Sequence, residues 1–308
     1  AVMSKDGEVF VVDTPKPEGE GVLIKITNSG ICGSDLHTVA LGLHGVVLGH
    51  EFGGYTEDGQ LVAVRPTGEC GQCSSCMRGA PNLCSEAMTH LYGAALNGGL
   101  SEYALVDPAR LTYLPTGAHP EHVGLVEPIA VAAHGVTRSG ARPGHKVLVI
   151  GGGSIGLLAV AVLRDLGIEV DIMARHPHQQ RAAEILGARN SVDRNYDIVF
   201  DAAATQSAFD SAVRAARKGG TIVEYGMFWE PISLHNPVML KEITIVPAMF
   251  YNHNHDHNDF AYAAELVARS PHVAEAIVTH RFTLSDAKEA FAVANNREAG
   301  AIKVHLHP

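Results

Sequence analysis

The sequence predicts an α/β protein in two parts, a mostly-β unit followed by a doubly wound parallel sheet, and three observations predict it. After about residue 146, apolar runs of strand length alternate with runs of helix length, the order that lays helices over both faces of a parallel sheet. The first of these junctions is a glycine turn, Gly151-Gly152-Gly153-Ser154-Ile155-Gly156. Ahead of it, from Glu8 to Leu114, the chain is rich in short β segments broken by glycine and proline, as in a mostly-β domain.

In chain order, Lys146 to Ile150 is a short β-branched strand, the glycine turn follows, and an apolar run from Ile155 to Leu166 stops at Gly167. Strand, G-x-G-x-x-G and helix together form a dinucleotide fingerprint. Gly151 permits the tight turn, Gly153 lets a pyrophosphate approach the backbone, and Gly156 lets helix and strand pack closely. The helix opening at Ser154 and Ile155 then points its free N–H groups at the phosphates. A second strand, Glu169 to Ala174, leads to a helical stretch from Gln179 to Leu186 closed by Gly187. An acid near the end of that strand would bind the ribose 2′-hydroxyl of NAD. The chain instead reads Ala174-Arg175-His176, and a guanidinium there suits the 2′-phosphate of NADP. NADP(H) is therefore expected over NAD(H), with a solvated Arg175 as the plain alternative; Asp171, the nearest acid, lies inside the strand. Strands Asp197 to Asp201, Thr221 to Tyr225 and Ile243 to Val246, with a helix Ser207 to Ala216, complete the sheet.

Four of the five cysteines, Cys70, Cys73, Cys76 and Cys84, form a C-x2-C-x2-C-x7-C run, and Cys32 stands apart shortly before Gly49-His50-Glu51. Four thiolates within reach of one ion make the closed tetrahedral set that structural zinc prefers. A disulfide framework would need an oxidising compartment. A 308-residue chain has enough core to do without one, and no apolar leader or membrane-length run is seen, so cytoplasmic residence is expected. With 23 Lys+Arg against 33 Asp+Glu, a net charge of -10 and one Trp, the chain lacks the basic footprint of a nucleic-acid binder.

Taken in order, these pieces resemble the zinc-containing medium-chain alcohol and polyol dehydrogenases over nearly the whole chain. The resemblance is carried by Cys32-Gly33-Ser34-Asp35-Leu36-His37, Gly49-His50-Glu51, the cysteine lobe with Gly71 and Asn82, Gly98-Gly99-Leu100-Ser101-Glu102-Tyr103, Glu127-Pro128, the glycine turn and Gly300-Ala301-Ile302-Lys303-Val304. It implies a GroES-like catalytic domain over residues 1–127 and 253–308, interrupted by a Rossmann NAD(P)-binding domain over 128–252. It also implies a homodimer or homotetramer joined through the cofactor domains.

A working zinc keeps one position open and so takes three protein ligands. Cys32 and His50 supply two, and the third is open between Glu51 and Glu127, which the polyol branch is proposed to alternate during turnover. The resemblance places Ser34 to take the alcohol proton and His37 to pass it on, while Asp35 would orient His50. Two zinc ions per chain are expected. Lys303 matches a family position whose basic side chain meets the cofactor pyrophosphate, the alternative being a solvated lysine.

The chain is shorter than its family between His37 and His50, from Glu51 to Val64 and before the Asp197 strand. A shortened pocket wall suggests bulky or cyclic secondary alcohols or ketones as substrates. The stretch Tyr251-Asn252-His253-Asn254-His255-Asp256-His257-Asn258-Asp259 invites a third metal site but is expected to be a polar turn that caps the helix Phe260 to Val267. Two rivals remain, a zinc-free NADPH quinone or enoyl reductase of the same superfamily and a nucleotide-binding protein with a relict site. Cys32, His50 and Glu127 weigh against the first, and intact Ser34 and His37 against the second.

Overall fold

The computed structural model of the chain describes residues 1–42, 45–254 and 257–308; His255 and Asp256 of the histidine-rich stretch lie outside them. Two compact units result, Ala1–Glu127 with Asn252–Pro308, and Pro128–Tyr251.

The first unit is built on a sheet ordered Val278–Thr283, Lys303–His307, Val22–Gly30, Glu51–Tyr55, Leu61–Val64, Leu111–Tyr113, with Tyr103–Val106 also paired to Val22–Gly30. The C-terminal strand Lys303–His307 thus lies against Val22–Gly30, with His305 opposite Gly30, while Gly30 faces Glu51 on its other side. Ile24, Ile26, Phe52, Val62, Val64 and Val106 fill one core beneath it. That register brings residues from both ends of the chain to one spot, where the polar cluster described below is buried.

The second unit is the expected parallel sheet, ordered Thr244–Pro247, Ala216–Glu224, Tyr196–Asp201, Val147–Ile150, Val170–Met173. The order reverses direction between Tyr196–Asp201 and Val147–Ile150, the switch point outside which ligands of such sheets bind. Helix Ser154–Asp165 is apolar nearly all round, with Leu157 to Leu163 buried, as a helix packed in the interior should be. It ends a residue early because Gly167 turns left-handed, with φ +72°. The strand expected from Thr221 begins earlier, at Ala216. Lys241 Nζ fixes that junction by donating to the carbonyls of Val213, Arg214 and Ala216. Among the described residues no helix is long and apolar enough to cross a membrane.

Candidate functional site

Strand Val22–Gly30 delivers Cys32 to the N-cap of helix Gly33–Ala40. Asp35, in the first turn, is buried; its Oδ2 accepts from the Cys32 N–H at 2.8 Å and its Oδ1 lies 3.4 Å from His50 Nδ1. One carboxylate therefore ties the cysteine loop to the imidazole, the orienting part expected of Asp35, and leaves His50 Nε2 free to face Ser34 Oγ at 3.4 Å. Burial alone would lower the His50 pKa, but the Asp35 carboxylate and the Cys32 sulfur outweigh it and hold the ring well above its ordinary value. His37, exposed, stands three residues after Ser34 on the same helix.

The donor atoms of Cys32, His50 and Glu51 all lie within 4.8 Å of one another. A thiolate, an imidazole and a carboxylate within that span fit a catalytic zinc. Glu127 sits in the first turn of helix Val126–Ser139. Burial pushes its carboxyl up to about 8, with His50 and Lys303 pulling it down and Glu51 and Asp35 pushing it further up. Of the two candidates for a third ligand, Glu51 falls inside the three-residue group and Glu127 is close enough to feel its charges.

Lys303 departs from expectation. It is not solvated: its ammonium, buried, donates to Glu51 Oε1 and Oε2 at 2.7 Å each and to the Ile31 carbonyl at 3.1 Å. Burial would drive its proton off, yet Glu51 overcomes that and raises it above the usual lysine value. Gly30 makes room for the pair, since a Cβ there would strike Glu51 Oε2. The sequence signal was a lysine flanked by apolar residues in a strand, Ile302-Lys303-Val304, which asks for a buried anion.

The four-cysteine lobe lies on the loop around helix Ser74–Met77 and the 3-10 turn Pro81–Leu83. Its thiols are free, with Cys73 to Cys76 at 3.6 Å, Cys73 to Cys84 at 3.9 Å and Cys70 to Cys84 at 3.6 Å. A disulfide needs about 2.05 Å, whereas the edge of a tetrahedron with about 2.3 Å zinc–sulfur bonds is about 3.8 Å. The N–H groups of Cys70, Cys73 and Glu86 already point at sulfur. The Cys76 N–H draws the Cys73 thiol down to about 6 while burial pushes Cys76 up to about 12, so four thiolates need a cation to coexist. The described part of the histidine-rich stretch braces this lobe: Asn254 Nδ2 donates to the Gly79 carbonyl at 2.7 Å and His253 Nε2 lies 3.0 Å from Glu69 Oε1. Asn258 then caps the next helix by accepting from the Ala261 N–H at 3.0 Å, the Asx cap anticipated. Cys76→Ser is expected to lower the thermal midpoint by more than about 5 °C, since a lost metal ranks among the large single-residue effects. Substrate preference should be unchanged; a midpoint equal to wild type would remove the structural role.

In the second unit, Gly151 holds φ +105° and Gly153 caps helix Ser154–Asp165. A Cβ on Gly156 would hit the Gly151 carbonyl, whereas one on Gly153 would meet nothing within 4 Å. The turn is closed behind and open in front, and Ser154 Oγ is buried without a hydrogen-bond partner among the described residues. An open glycine face and an unspent hydroxyl at a helix N-terminus fit a dinucleotide pyrophosphate, and Ile155 follows in the first turn. Past the second strand, Arg175 is exposed and His176 is the N-cap of helix Pro177–Ile185. Asp171 is buried and committed to Arg189 Nε and Tyr196 Oη, both at 2.8 Å.

Comparison with known proteins gives the same picture. The family described as alcohol dehydrogenase GroES-like domain matches residues 18–116, and that described as zinc-binding dehydrogenase matches residues 154–269. L-galactonate-5-dehydrogenase of Escherichia coli K12 is 32% identical over 93% of this chain and 92% of its own length. Sorbitol dehydrogenase of Bacillus subtilis 168 is 26% identical over 100% of this chain and 96% of its own. A zinc-binding dehydrogenase from Sinorhizobium meliloti 1021, solved bound to NADP, superposes with a TM-score of 0.89 at 28% identity, covering 100% of both chains. Sequence, fold and the gathered donor atoms converge, and the chain belongs to the zinc-containing medium-chain alcohol and polyol dehydrogenases, oxidoreductases that act on CH–OH donors.

Proposed function

We propose that this dehydrogenase is zinc-dependent and moves a hydride between NADP(H) and a secondary alcohol or polyol, or the matching ketone in reverse. The observation that supports this most is the convergence of Cys32, His50 and Glu51 within 4.8 Å, with Ser34 at 3.4 Å from His50. Zinc held by Cys32, His50 and either Glu51 or Glu127 would supply a Lewis acid that acidifies the substrate hydroxyl, and a nicotinamide would exchange the hydride.

The chain's own residues do the rest. Ser34 Oγ takes the hydroxyl proton, and exposed His37, on the same helix, hands it to solvent. Asp35 fixes the His50 tautomer by accepting from Nδ1–H, which keeps its proton. Lys303 pairs with both oxygens of the Glu51 carboxylate beside them. A polyhydroxylated substrate is favoured by the two relatives named for galactonate and sorbitol. Assembly as a homodimer or homotetramer through the cofactor units is supported by the edge strand Thr244–Pro247 and by Met239 and Leu240 exposed beside it.

The test is initial-rate reduction of NADP, with NAD beside it, across secondary alcohols, polyols, sugars and threonine, then carbonyls in reverse with NADPH. Turnover with one structural class is expected; silence in both directions from folded, zinc-loaded protein overturns the proposal. Arg175→Ala should weaken NADPH by about tenfold or more and leave NADH within about twofold, as loss of a charge-assisted hydrogen bond predicts. Equal weakening of both nucleotides would remove Arg175 from the 2′-phosphate.

A further inference from the structure

Two acids at the carboxyl ends of neighbouring strands have no part in the chemistry above. Asp201 closes Tyr196–Asp201, Glu224 closes Ala216–Glu224, and the two stand opposite each other in register. Their exposures are 0% and 5%, and Asp201 Oδ2 and both Glu224 carboxyl oxygens are buried with no hydrogen-bond partner among the described residues. Among the described residues no cation offsets them. Ile150 and Pro247 flank the pair in register. Two unpaired buried charges side by side would cost far more than a fold of ordinary stability can spare.

The pair also underlies the dinucleotide turn. Asp201 Oδ1 accepts from the N–H groups of Ala203 at 2.8 Å and Ala204 at 3.1 Å, and so holds Ala204 in a left-handed conformation, φ +48°. That backbone is what Gly151 packs on: a Cβ at Gly151 would lie 3.2 Å from the Ala202 carbonyl carbon and 3.3 Å from the Ala203 nitrogen.

We propose that Asp201 and Glu224 form a proton-holding switch beneath the dinucleotide turn: carrying a proton, the pair keeps Ala202–Ala204 seated against Gly151, and losing it to solvent in mild alkali loosens that seat and weakens nucleotide binding. Burial, then the neighbouring Asp201, push the Glu224 carboxyl up to about 8, and burial raises Asp201 against the pull of its two N–H donors. The fold keeps the Glu224 proton where the unfolded chain releases it. The contribution to stability is therefore full below the ordinary carboxyl range and is lost as pH rises toward about 8.

The switch rests on the dinucleotide assignment above, and the experiment separates the two. NADPH dissociation constants are measured from about pH 7 to about pH 9.5, where the nucleotide phosphates are fully ionised, alongside thermal midpoints without nucleotide from about pH 5 upward, for wild type, Glu224→Gln and Asp201→Asn. The asparagine keeps the acceptor for Ala203 and Ala204. Wild type should lose about tenfold in affinity across that range, the size of a pKa displaced by about one unit, and its midpoint should fall as pH rises toward about 8. Glu224→Gln should be flatter in both measurements, Asp201→Asn should move both falls to lower pH because burial still acts on Glu224, and either one that folds suffices. Parallel profiles in wild type and variants overturn the switch, as does a flattened midpoint with unchanged affinity profiles. Absence of NADPH binding at every pH overturns the dinucleotide assignment together with the coupling, while the midpoints still decide whether the pair holds a proton.

Discussion

Cys32→Ser is expected to lower kcat by at least about a thousandfold, in the range seen when a principal catalytic group is removed, and to release one of two zinc ions. Serine keeps the backbone and the N-cap position, so the Cys32 N–H still reaches Asp35. What it removes is the soft thiolate, and a serine hydroxyl remains protonated near neutral pH and is a poor zinc ligand. His50 suffers next: without the Cys32 sulfur, one of the two influences that raise its pKa is lost, although Asp35 remains. The four-cysteine lobe shares no residue with this cluster and should retain its ion, and the glycine turn should still bind NADPH. Metal content, NADPH titration and turnover measured on one preparation resolve these outcomes. Activity within about tenfold of wild type would show that Cys32 is not a principal ligand. Ser34→Ala should be as damaging to kcat while keeping both ions, which separates proton transfer from metal binding.

What could be read from the sequence is what local pattern controls. The parallel sheet announced itself through strand and helix runs of fixed length, because burial on both faces forces uninterrupted apolar segments such as Val147 to Ile150. The cysteine lobe was legible because four thiols that gather in space sit within fifteen residues. Cys32 and His50, with Glu51 or Glu127 as the third, came forward because short motifs carry them. The pairing of Lys303 with Glu51 was missed for the opposite reason. Its partner Glu51 lies 252 residues away, and only the antiparallel registers of Gly30 with His305 and with Glu51 bring the two together. A lysine near the end of a family motif looks the same in sequence whether it meets a phosphate or a carboxylate. Asp201 and Glu224 were invisible likewise, since each alone is an unremarkable acid at the end of a strand.

The Lys303–Glu51 pair permits the sharpest contrast between what the family resemblance implies and what the structure places there. Were Lys303 a phosphate contact, Lys303→Met would weaken NADPH and leave the fold alone. With the ammonium buried between both Glu51 oxygens and the Ile31 carbonyl, its removal strands a carboxylate in the interior, and breaking a buried pair in this way costs about 3–5 kcal/mol. The methionine fills most of the volume, so the loss reflects charge more than packing. Without zinc loaded beside it, Glu51 in the variant can be neutralised only by a proton, so the metal-free variant should regain stability as pH falls and lose it as pH rises. A second change, Glu51→Gln, removes the stranded charge and should restore much of the stability of Lys303→Met, giving a coupling energy in a double-mutant cycle well above the few tenths of a kcal/mol of independent sites. Denaturant unfolding of the four proteins at two pH values measures all of this without turnover. A destabilisation below about 1 kcal/mol in Lys303→Met, the scale of an exposed ion pair, together with a lost NADPH affinity, would return Lys303 to the cofactor.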